Sequence, residues 1–486
     1  MHPPTTEQEA VLTHGRLYPS MPRKISAFAG TGKTTTLEML AQVLKGRILY
    51  IVFSRPMREE AQQRFPKSVQ VRTAHSLAYA ALDMQTQRSR LERRLFPEAV
   101  QQLVKLPRAL ATDDSAGFLV LDALARFCNS ADPVITAQHV DPAEPPELRE
   151  DVANAARALW QRMIDPKDDC PISHDTYLKQ WQLTGKGFPR YDHILFDEAQ
   201  DSSPVMLDVM RRQAAPVTWV GDPHQQIYRF RGAVNAMGIV SGAPLVLSQS
   251  FRFGPAIAGV ANAILACKPA GTRPEILITG DPNRHSTLGP LPGNGKQQPP
   301  HAFLSRTNAE WLQHALRLTV PVHVIGGLEE PEALLRAAWH LWSTNRHPPR
   351  CPPAIKRFRT WRALCEHTER FRDGEIRLGR EIVEHYRERL PGALDRLRAR
   401  HVAVESEALV TLGTAHRVKG KQYRRVKLGQ GFASPADPGW TKLTAAEQED
   451  ECNLLYVGVS RAIEHLEPND AVLACLDVAG FEHSSH

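Results

Sequence analysis

The chain has 486 residues, of which 42% are hydrophobic and 23% charged, a balance that permits large folded cores and argues against wholesale disorder. No apolar run reaches the ~18–20 residues that a membrane helix needs, and the N-terminus lacks the basic and apolar parts of a signal peptide. Its seven scattered cysteines include no C-x-x-C pair and are typical of reduced thiols, so we expect a cytosolic protein.

Positive charge is concentrated in one segment. The chain carries 60 Lys and Arg against 53 Asp and Glu, a formal net charge of +7. Residues 346–400 hold 15 Lys and Arg against 8 Asp and Glu, so the net charge of this segment equals that of the whole chain. A nucleic-acid surface and a solvated helical face are both consistent with this pattern, and charge alone does not separate them.

Short apolar runs alternate with helical patterns in the first third of the chain, as in parallel α/β sheets. This pattern predicts a helix over 34–44 and strands at 24–29, 47–53, 68–72, 191–196 and 216–220. Between about 77 and 187 only helical patterns occur, which predicts a helical insertion. Beyond Pro244 the alternation resumes, and we predict a loop at 289–300, a basic helical insertion at 331–404 and strands at 302–305, 321–325, 408–413 and 425–428. The sequence therefore predicts two α/β units, each with a mainly helical insertion.

A phosphate-binding loop is indicated by AFAGTGKT at 27–34, between a predicted strand and a predicted helix. Glycines let backbone N–H groups turn toward an anion, and a helix N-terminus favours negative charge. Lys33 would reach the β- and γ-phosphates, and the Thr34 hydroxyl would ligate Mg²⁺. Because Ala27 replaces the first glycine of the strict pattern, a chance glycine-rich turn is the alternative. The predicted nucleotide contacts are Ala29, Gly30, Thr31, Gly32, Lys33, Thr34 and Thr35.

Two adjacent carboxylates end the apolar strand that begins at His193. A magnesium-nucleotide enzyme needs one carboxylate in the metal shell and another to polarise the attacking water. We assign the metal to Asp197 and the water to Glu198. An acidic turn after a core strand is the alternative, and the upstream GKT sequence weakens it. Together the two segments predict hydrolysis of a nucleoside triphosphate.

Eight segments, in this order, resemble the motifs of superfamily 1A (UvrD/Rep-like) DNA helicases, nearest to the helicase part of eukaryotic F-box DNA helicases. They are TEQEAV (6–11), FSRPMRE (53–59), TAHSL (73–77), GDPHQQIYRFRGA (221–233), QSFR (249–252), SRTN (305–308), TAHRVKG (414–420) and NLLYVGVSRA (453–462). The resemblance implies two RecA-like P-loop domains with parallel sheets. It divides them into domain 1A at 1–80 and 187–245, insertion 1B at 81–186, domain 2A at 246–330 and 405–486, and a short insertion 2B at 331–404.

The resemblance also implies residue roles. Gln8 would read the adenine edge and Phe251 would stack on the ring, with ATP and Mg²⁺ as cofactors. The implied catalytic residues are Lys33, Glu198, the γ-phosphate sensor Gln225, and the arginine fingers Arg252 and Arg461. The implied DNA contacts are Phe53, Ser54, Arg55, Thr73, His75, Tyr228, Phe230, Arg231, Arg306, Thr307 and His416.

Elementary chemistry supports these roles and also supplies alternatives. A guanidinium stays ionised and suits the charge of phosphoryl transfer, and aromatic rings stack on any base. The alternatives are core packing for Tyr228 and Phe230, surface cations or structural ion pairs for the two arginine fingers, and ordinary structural roles for His75 and His416.

Several positions depart from the family pattern. Ala74 stands where an aromatic is usual and Ser54 where Asn is frequent, which would thin the DNA contacts. Lys421-Gln422 replaces Leu-Glu, and Glu464-His465 lies where basic residues are common. The loss of a carboxylate at 422 puts the coupling of hydrolysis to motion in question, but not ATP binding. The residues before Thr5 are too few for an F-box.

We therefore expect a cytosolic, nucleoid-associated motor of bacterial or phage type that moves 3′→5′ on single-stranded DNA and unwinds partly duplex DNA or displaces bound protein. One alternative is the motor subunit of a complex with a separate nuclease or repair protein, in repair or defence against foreign DNA. Another is a DNA-binding module with a vestigial ATPase. The sequence leaves open whether the chain acts as a monomer or a subunit, and whether RNA could be the track.

Overall fold

The computed structural model describes residues 3–93, 95–106, 116–293, 297–370 and 373–480. Contacts between residues divide the chain into two units, the first comprising Met1–Phe28 and Gly32–Leu247, and the second Ala29–Thr31 and Ser248–His486. Each unit is built on one six-stranded sheet whose strands all pair in parallel. The predicted α/β class with two parallel sheets is therefore confirmed.

The sheet of the first unit has the order β3-β2-β4-β5-β1-β6, so β1 lies inside it. Its strands are β1 (Arg23–Ala27), β2 (Ile48–Val52), β3 (Val69–Thr73), β4 (His193–Phe196), β5 (Val217–Gly221) and β6 (Ala243–Leu247). All residues of β2, β4 and β5 are buried, as expected of parallel strands covered on both faces. The edge strand β6 was not predicted. It contains Pro244, which a sheet tolerates at its edge.

Ten helices are described in the first unit. They are α1 (Thr6–Leu17), α2 (Lys33–Val43), α3 (Arg55–Arg64), α4 (Ala74–Ala81), α5 (Arg88–Leu91), α6 (Pro97–Leu103), α7 (Ala116–Asn129), α8 (Pro146–Ile164), α9 (His174–Leu183) and α10 (Pro204–Arg211). Between β3 and β4 the described residues form helices and short turns without a strand, as the pattern there predicted. Helix α9 packs against α4, the helix that directly follows β3. The helices between β3 and β4 are therefore in contact with the elements that surround the sheet.

The sheet of the second unit has the order β7-β12-β11-β8-β10-β9. Its strands are β7 (Thr287–Leu288), β8 (His301–Ser305), β9 (Val322–Val324), β10 (Val410–Thr414), β11 (Tyr423–Leu428) and β12 (Ala462–Glu467). Strands β8 to β11 lie where the apolar runs predicted them. Neither β7 nor β12 was predicted, because β7 has two residues and β12 mixes charged with apolar side chains.

The described helices of the second unit are α11 (Pro255–Ala266), α12 (Asn308–Arg317), α13 (Glu329–Thr344), α14 (Pro353–Lys356), α15 (Trp361–Arg370), α16 (Gly374–Tyr386), α17 (Leu390–Arg400), α18 (Ala445–Val459) and α19 (Asp470–Val478). The described residues of the basic insertion at 331–404 form mainly helices. The buried Leu335, Ile382 and Leu394 of this insertion share one core with Val322 of β9 and Leu412 of β10. The helical insertion is therefore integral to the second unit. None of the described helices is long and apolar enough to cross a membrane.

Candidate nucleotide and nucleic-acid site

The predicted phosphate loop connects β1 to α2. The strand ends at Ala27, two residues earlier than predicted, and the helix begins at Lys33. Gly30 and Gly32 both have φ of +76°, a left-handed conformation that glycine adopts without steric cost. Gly32 is also the N-cap residue of α2, so the N-terminal N–H groups of the helix lie next to the loop. This backbone has the form of an anion cradle at a helix N-terminus.

Asp197 follows β4 and is buried, with 5% of its surface exposed. Its carboxylate accepts hydrogen bonds from the Tyr50 hydroxyl at 2.7 Å and from the Glu198 N–H at 2.9 Å. Burial raises the pKa of Asp197, and the charge of Glu198 raises it further, whereas Lys33 acts in the opposite direction. Buried carboxylates that disfavour ionisation in this way suit a divalent cation, whose charge would restore the ionised form.

Glu198 has a left-handed backbone, with φ of +51°, which is uncommon for a residue other than glycine. Its Oε1 lies 3.8 Å from Lys33 Nζ, and Gln200 donates a hydrogen bond to its Oε2. Strained backbone of this kind persists where the surrounding structure holds it, often at functional sites. Lys33 and Glu198, two of the three predicted catalytic residues of the first unit, are therefore brought together.

Gln200 connects the carboxylates to the end of β5. Its side-chain oxygen accepts the Asp222 N–H at 3.1 Å, and Asp222 Oδ2 accepts a hydrogen bond from Gln225 Nε2 at 2.7 Å. A Cβ at Gly221 would come too close to Gln200 Oε1, so a larger residue there would displace the Gln200 side chain. Sequence reasoning named Gln225 but missed Gln200, for which the only signal is its place two residues after Glu198.

Gln8, predicted to read adenine, lies in α1 with 4% of its surface exposed. Its side-chain oxygen accepts the Thr5 N–H at 3.0 Å, which completes a capping box, and its Nε2 donates to Thr36 Oγ1 at 3.1 Å. Thr36 lies in the first turns of α2. Since an amide oxygen accepts two hydrogen bonds and an amide nitrogen donates two, Gln8 retains capacity for a base edge.

Three aromatic rings, the exposed Phe53 and Phe230 and the half-buried Tyr228, form a cluster in the first unit. The Phe53 and Tyr228 rings are parallel to within 7°, with centroids 6.4 Å apart, and the Phe230 centroid is 6.3 Å from that of Tyr228. Phe53 is 61% and Phe230 69% exposed, so core packing is wrong for Phe230. The Arg231 guanidinium lies 5.6 Å from the Tyr228 ring and 5.5 Å from that of Phe230. Exposed rings beside a cation are the arrangement that stacks on single-stranded bases.

A cavity of about 350 Å³ lies between these rings and the carboxylates. Phe53 and Tyr228 line one part of it, and Asp197 and Glu198 another. Ala74 also lines it, so an aromatic side chain at this position would project into space that is open here. The departure at Ala74 therefore enlarges the space beside the aromatic cluster.

Three of the predicted DNA contacts serve as helix N-caps. Ser54 Oγ accepts the Met57 N–H at the start of α3, at 3.5 Å. Thr73 Oγ1 accepts at 3.2 Å from the third residue of α4, and Thr307 Oγ1 accepts at 3.3 Å from the third residue of α12. Each hydroxyl therefore stabilises a local helix start, whatever it does with DNA.

The remaining polar contacts of the first unit are exposed and paired. His75 Nε2 lies 3.3 Å from Asp175 Oδ1 in α9. This hydrogen bond lowers the pKa of Asp175, although burial acts in the opposite direction. The Arg55 side chain is 80% exposed and forms an ion pair with Glu59 at 2.8 Å. In the second unit His416 is half-buried just after β10.

Both predicted arginine fingers lie in the second unit, near the C-terminal end of α18. Arg252 Nη1 donates to the Ser460 carbonyl at 2.7 Å and its Nε donates to Gln422 Oε1 at 3.1 Å. Arg461, only 1% exposed, donates to the carbonyls of Val457 at 3.0 Å and Lys421 at 3.2 Å. These four acceptors are neutral oxygens, and they orient the guanidinium groups. Phe251, beside Arg252, is 37% exposed.

Arg306 forms an ion pair that the sequence did not reveal. Its Nε donates to Glu451 Oε2 at 2.8 Å and its Nη2 donates to the second carboxylate oxygen. The hydrogen bond and charge of Glu451 raise the pKa of Arg306. A phosphate contact by Arg306 would therefore have to compete with a carboxylate.

Many arginines of the basic insertion are also paired within it. The N–O distances are 2.5 Å for Arg336–Asp395, 2.5 Å for Arg357–Asp373, 2.8 Å for Arg362–Glu366 and 2.9 Å for Arg380–Glu384. These pairs reduce the field that the excess charge can project. A nucleic-acid surface on this insertion stays a prediction.

The sequence is similar to those of known DNA helicases. Residues 5–238 match the UvrD/REP helicase N-terminal domain, a segment that includes the phosphate loop, the carboxylates and the aromatic cluster. Residues 5–238 therefore belong to the UvrD/REP helicase family. The whole chain is homologous to F-box DNA helicases, which confirms the resemblance seen in its motifs.

Three relatives illustrate the similarity. F-box DNA helicase 1 of Gallus gallus is 32% identical, over 99% of this chain and 50% of the relative. F-box DNA helicase protein 1 of Schizosaccharomyces pombe is 30% identical, over 96% of this chain and 57% of the relative. The ATP-dependent DNA helicase UvrD2 of Mycobacterium tuberculosis is 26% identical, over 57% of this chain and 47% of the relative. The chain thus spans about half the length of these relatives.

Proposed function

We propose that this chain is an ATP-dependent DNA helicase or translocase that moves 3′→5′ along single-stranded DNA. The observation that carries the proposal is the pairing of Lys33 with Glu198 at 3.8 Å, beside the buried Asp197, at the end of a phosphate loop. The exposed ring of Phe53 lines the same cavity as Asp197 and Glu198, and the exposed ring of Phe230 lies in the same unit. Lys33, Asp197, Glu198 and the two exposed rings thus belong to one unit.

The nucleotide would lie on the phosphate loop. Its backbone at Gly30 and Gly32 and the N-terminus of α2 would hold the phosphates, and Lys33 would neutralise part of their charge. Thr34 and Asp197 would hold Mg²⁺. When bound, Mg²⁺-ATP supplies the phosphoanhydride bond whose hydrolysis releases free energy.

Glu198 would orient the attacking water and accept its proton. Gln200 and Lys33 hold its carboxylate in place, and Gln225 would sense the γ-phosphate through the hydrogen-bond network that includes Asp222. Arg252 and Arg461 would stabilise the charge of the transition state, since a guanidinium stays ionised and its planar fork suits phosphoryl oxygens.

The track would be single-stranded DNA, read without regard to sequence. Tyr228, Phe230 and Phe53 would stack on successive bases. The backbone would be contacted by Ser54, Arg55, Thr73, His75, Arg231, Arg306, Thr307 and His416. The corresponding architecture is domain 1A at 1–80 and 187–245, insertion 1B at 81–186, domain 2A at 246–330 and 405–486, and insertion 2B at 331–404.

Displacement of streptavidin from biotinylated oligonucleotides tests both motion and polarity. With Mg²⁺ and ATP, we expect faster displacement from a 5′ biotin than from a 3′ biotin, since 3′→5′ motion ends at the 5′ terminus. Glu198→Gln should displace from neither end. Faster displacement from the 3′ biotin would contradict the polarity, and equal slow release with and without ATP would contradict a motor.

A further inference from the structure

One side chain outside the expected catalytic set contacts the predicted arginine finger Arg252. Gln422 Oε1 accepts a hydrogen bond from Arg252 Nε at 3.1 Å, and the Ser460 carbonyl accepts one from Arg252 Nη1 at 2.7 Å. Gln422 is 170 residues and Ser460 is 208 residues from Arg252 along the chain, and all three belong to the second unit. The guanidinium is thus held at two of its nitrogens by two separate segments.

The backbone on either side of Gln422 is tied to Arg461. The Lys421 carbonyl accepts a hydrogen bond from Arg461 Nη1 at 3.2 Å, and the Tyr423 N–H donates to the Arg461 carbonyl at 2.8 Å. The short segment 421–423 therefore has a fixed path past both arginines. Since its two neighbours are anchored, the Gln422 side chain starts from a defined backbone position when it reaches Arg252.

We propose that Gln422 is a positioning residue for Arg252 and that it acts through its side-chain oxygen. This inference rests on the proposed ATPase function of the site. An arginine side chain has many rotamers. If its guanidinium group is held in place before the reaction, less reorientation is needed to reach the transition state. The family pattern has Glu at this position. Because Gln and Glu side chains both end in an oxygen that accepts hydrogen bonds, Gln422 keeps the acceptor.

Steady-state ATPase kinetics with saturating single-stranded DNA test the proposal. The variants are Gln422→Ala, which removes the acceptor, Gln422→Glu, which keeps it, and Gln430→Ala as a matched control. Gln430 is another exposed glutamine of the second unit, and its side-chain oxygen accepts one hydrogen bond, from the Asp470 N–H at 3.1 Å.

We expect Gln422→Ala to lower kcat about tenfold with KM for ATP within about twofold, the pattern of a contact that matters in the transition state. Gln422→Glu should stay within about threefold of the wild type. Gln430→Ala should match the wild type, and all three variants should keep its Tm. An unchanged kcat for Gln422→Ala would overturn the inference, as would a Gln422→Glu variant that is as slow as Gln422→Ala.

A double-mutant cycle with Arg252→Ala separates positioning from a general structural effect. If Gln422 acts through Arg252, adding Gln422→Ala to Arg252→Ala should not slow turnover further, whereas independent effects would multiply. A full tenfold further loss in the double variant would overturn the inference. A wild-type protein without ATPase activity would instead overturn the proposed function, and this inference with it.

Discussion

Lys33 and Glu198 form an ion pair, with Nζ 3.8 Å from Oε1, although one begins α2 and the other follows β4. The Lys33 side chain is 14% and that of Glu198 20% exposed, so both are partly shielded from water. The left-handed backbone of Glu198 is uncommon for this residue type and places its carboxylate beside the cation. The pair marks the point where the phosphate loop meets the carboxylate that we propose activates water.

Lys33→Ala should abolish ATP turnover, because the phosphate cradle loses its cation. The loss in stability should be small, about 1 kcal/mol or less, since partly exposed ion pairs contribute little. Lys67→Ala, which removes an exposed lysine of the same unit, is the control. Turnover close to the wild type in folded Lys33→Ala would contradict the assignment of the loop.

Phe230→Ala should weaken binding to single-stranded DNA by ~1–3 kcal/mol, the usual contribution of one stacked base. The ring is 69% exposed, so its removal should leave the Tm nearly unchanged. Ile239→Ala truncates another exposed apolar side chain of the first unit and should leave affinity unchanged. Fluorescence anisotropy with a labelled oligonucleotide measures the difference, and equal affinities for Phe230→Ala and the wild type would remove Phe230 from the DNA surface.

The fold was largely predictable because its central strands are continuous apolar runs. ILYIV of β2 and HILF of β4 are buried at every residue, and such runs alternate with helical patterns. The strands that escaped prediction lack this signal. β6 contains a proline, β7 has two residues, and β12 carries two glutamates and a histidine among its six residues.

The candidate site was predictable only where its residues lie in short motifs. The glycines of the phosphate loop and the paired carboxylates have local signatures. Contacts made between distant segments have none, since Arg252 meets a glutamine 170 residues away and Arg306 meets Glu451 across 145 residues. No pattern in one sequence indicates that Arg306 has a carboxylate partner, so its second role could be seen only in the folded chain.

Glu451→Gln should make Arg306 more available to DNA. If Arg306 contacts a phosphate, releasing its carboxylate partner should tighten binding to single-stranded DNA. The slope of log K against log salt should steepen by about 0.7, the contribution of one phosphate contact. Arg306→Ala should change both quantities in the opposite direction.

The control for this effect is Glu92→Gln, which breaks an exposed ion pair with Arg88 in the first unit, with an N–O distance of 2.8 Å. It should change neither affinity nor slope. Identical salt slopes for Glu451→Gln and the wild type would make the Arg306–Glu451 pair purely structural.

Asp373→Asn should destabilise the second unit at neutral pH. Burial pushes the pKa of Asp373 upward, but hydrogen bonding with His367 and the charge of Arg357 outweigh it and lower the pKa from 3.8 to about 2. A carboxyl group with a lowered folded pKa stabilises the fold above its unfolded pKa and loses that contribution as the pH falls through the folded value. The contribution at pH 7 is roughly 2–3 kcal/mol.

The Tm of Asp373→Asn should therefore lie below that of the wild type at pH 7, and the gap should narrow as the pH falls below about 4. Asp395→Asn is a control, since its carboxylate is 69% exposed in a surface pair with Arg336. If the difference in Tm between Asp373→Asn and the wild type stayed constant with pH, the contacts of Asp373 with Arg357 and His367 would not determine stability in acid.

The most direct test of the proposed function is steady-state ATPase activity with and without single-stranded DNA, with Glu198→Gln as the blank. We predict that adding DNA raises turnover at least about tenfold, because binding of the track completes the catalytic arrangement. The Glu198→Gln variant should show no turnover. Folded wild-type protein that hydrolyses no ATP, even with saturating single-stranded DNA, would contradict the proposed function.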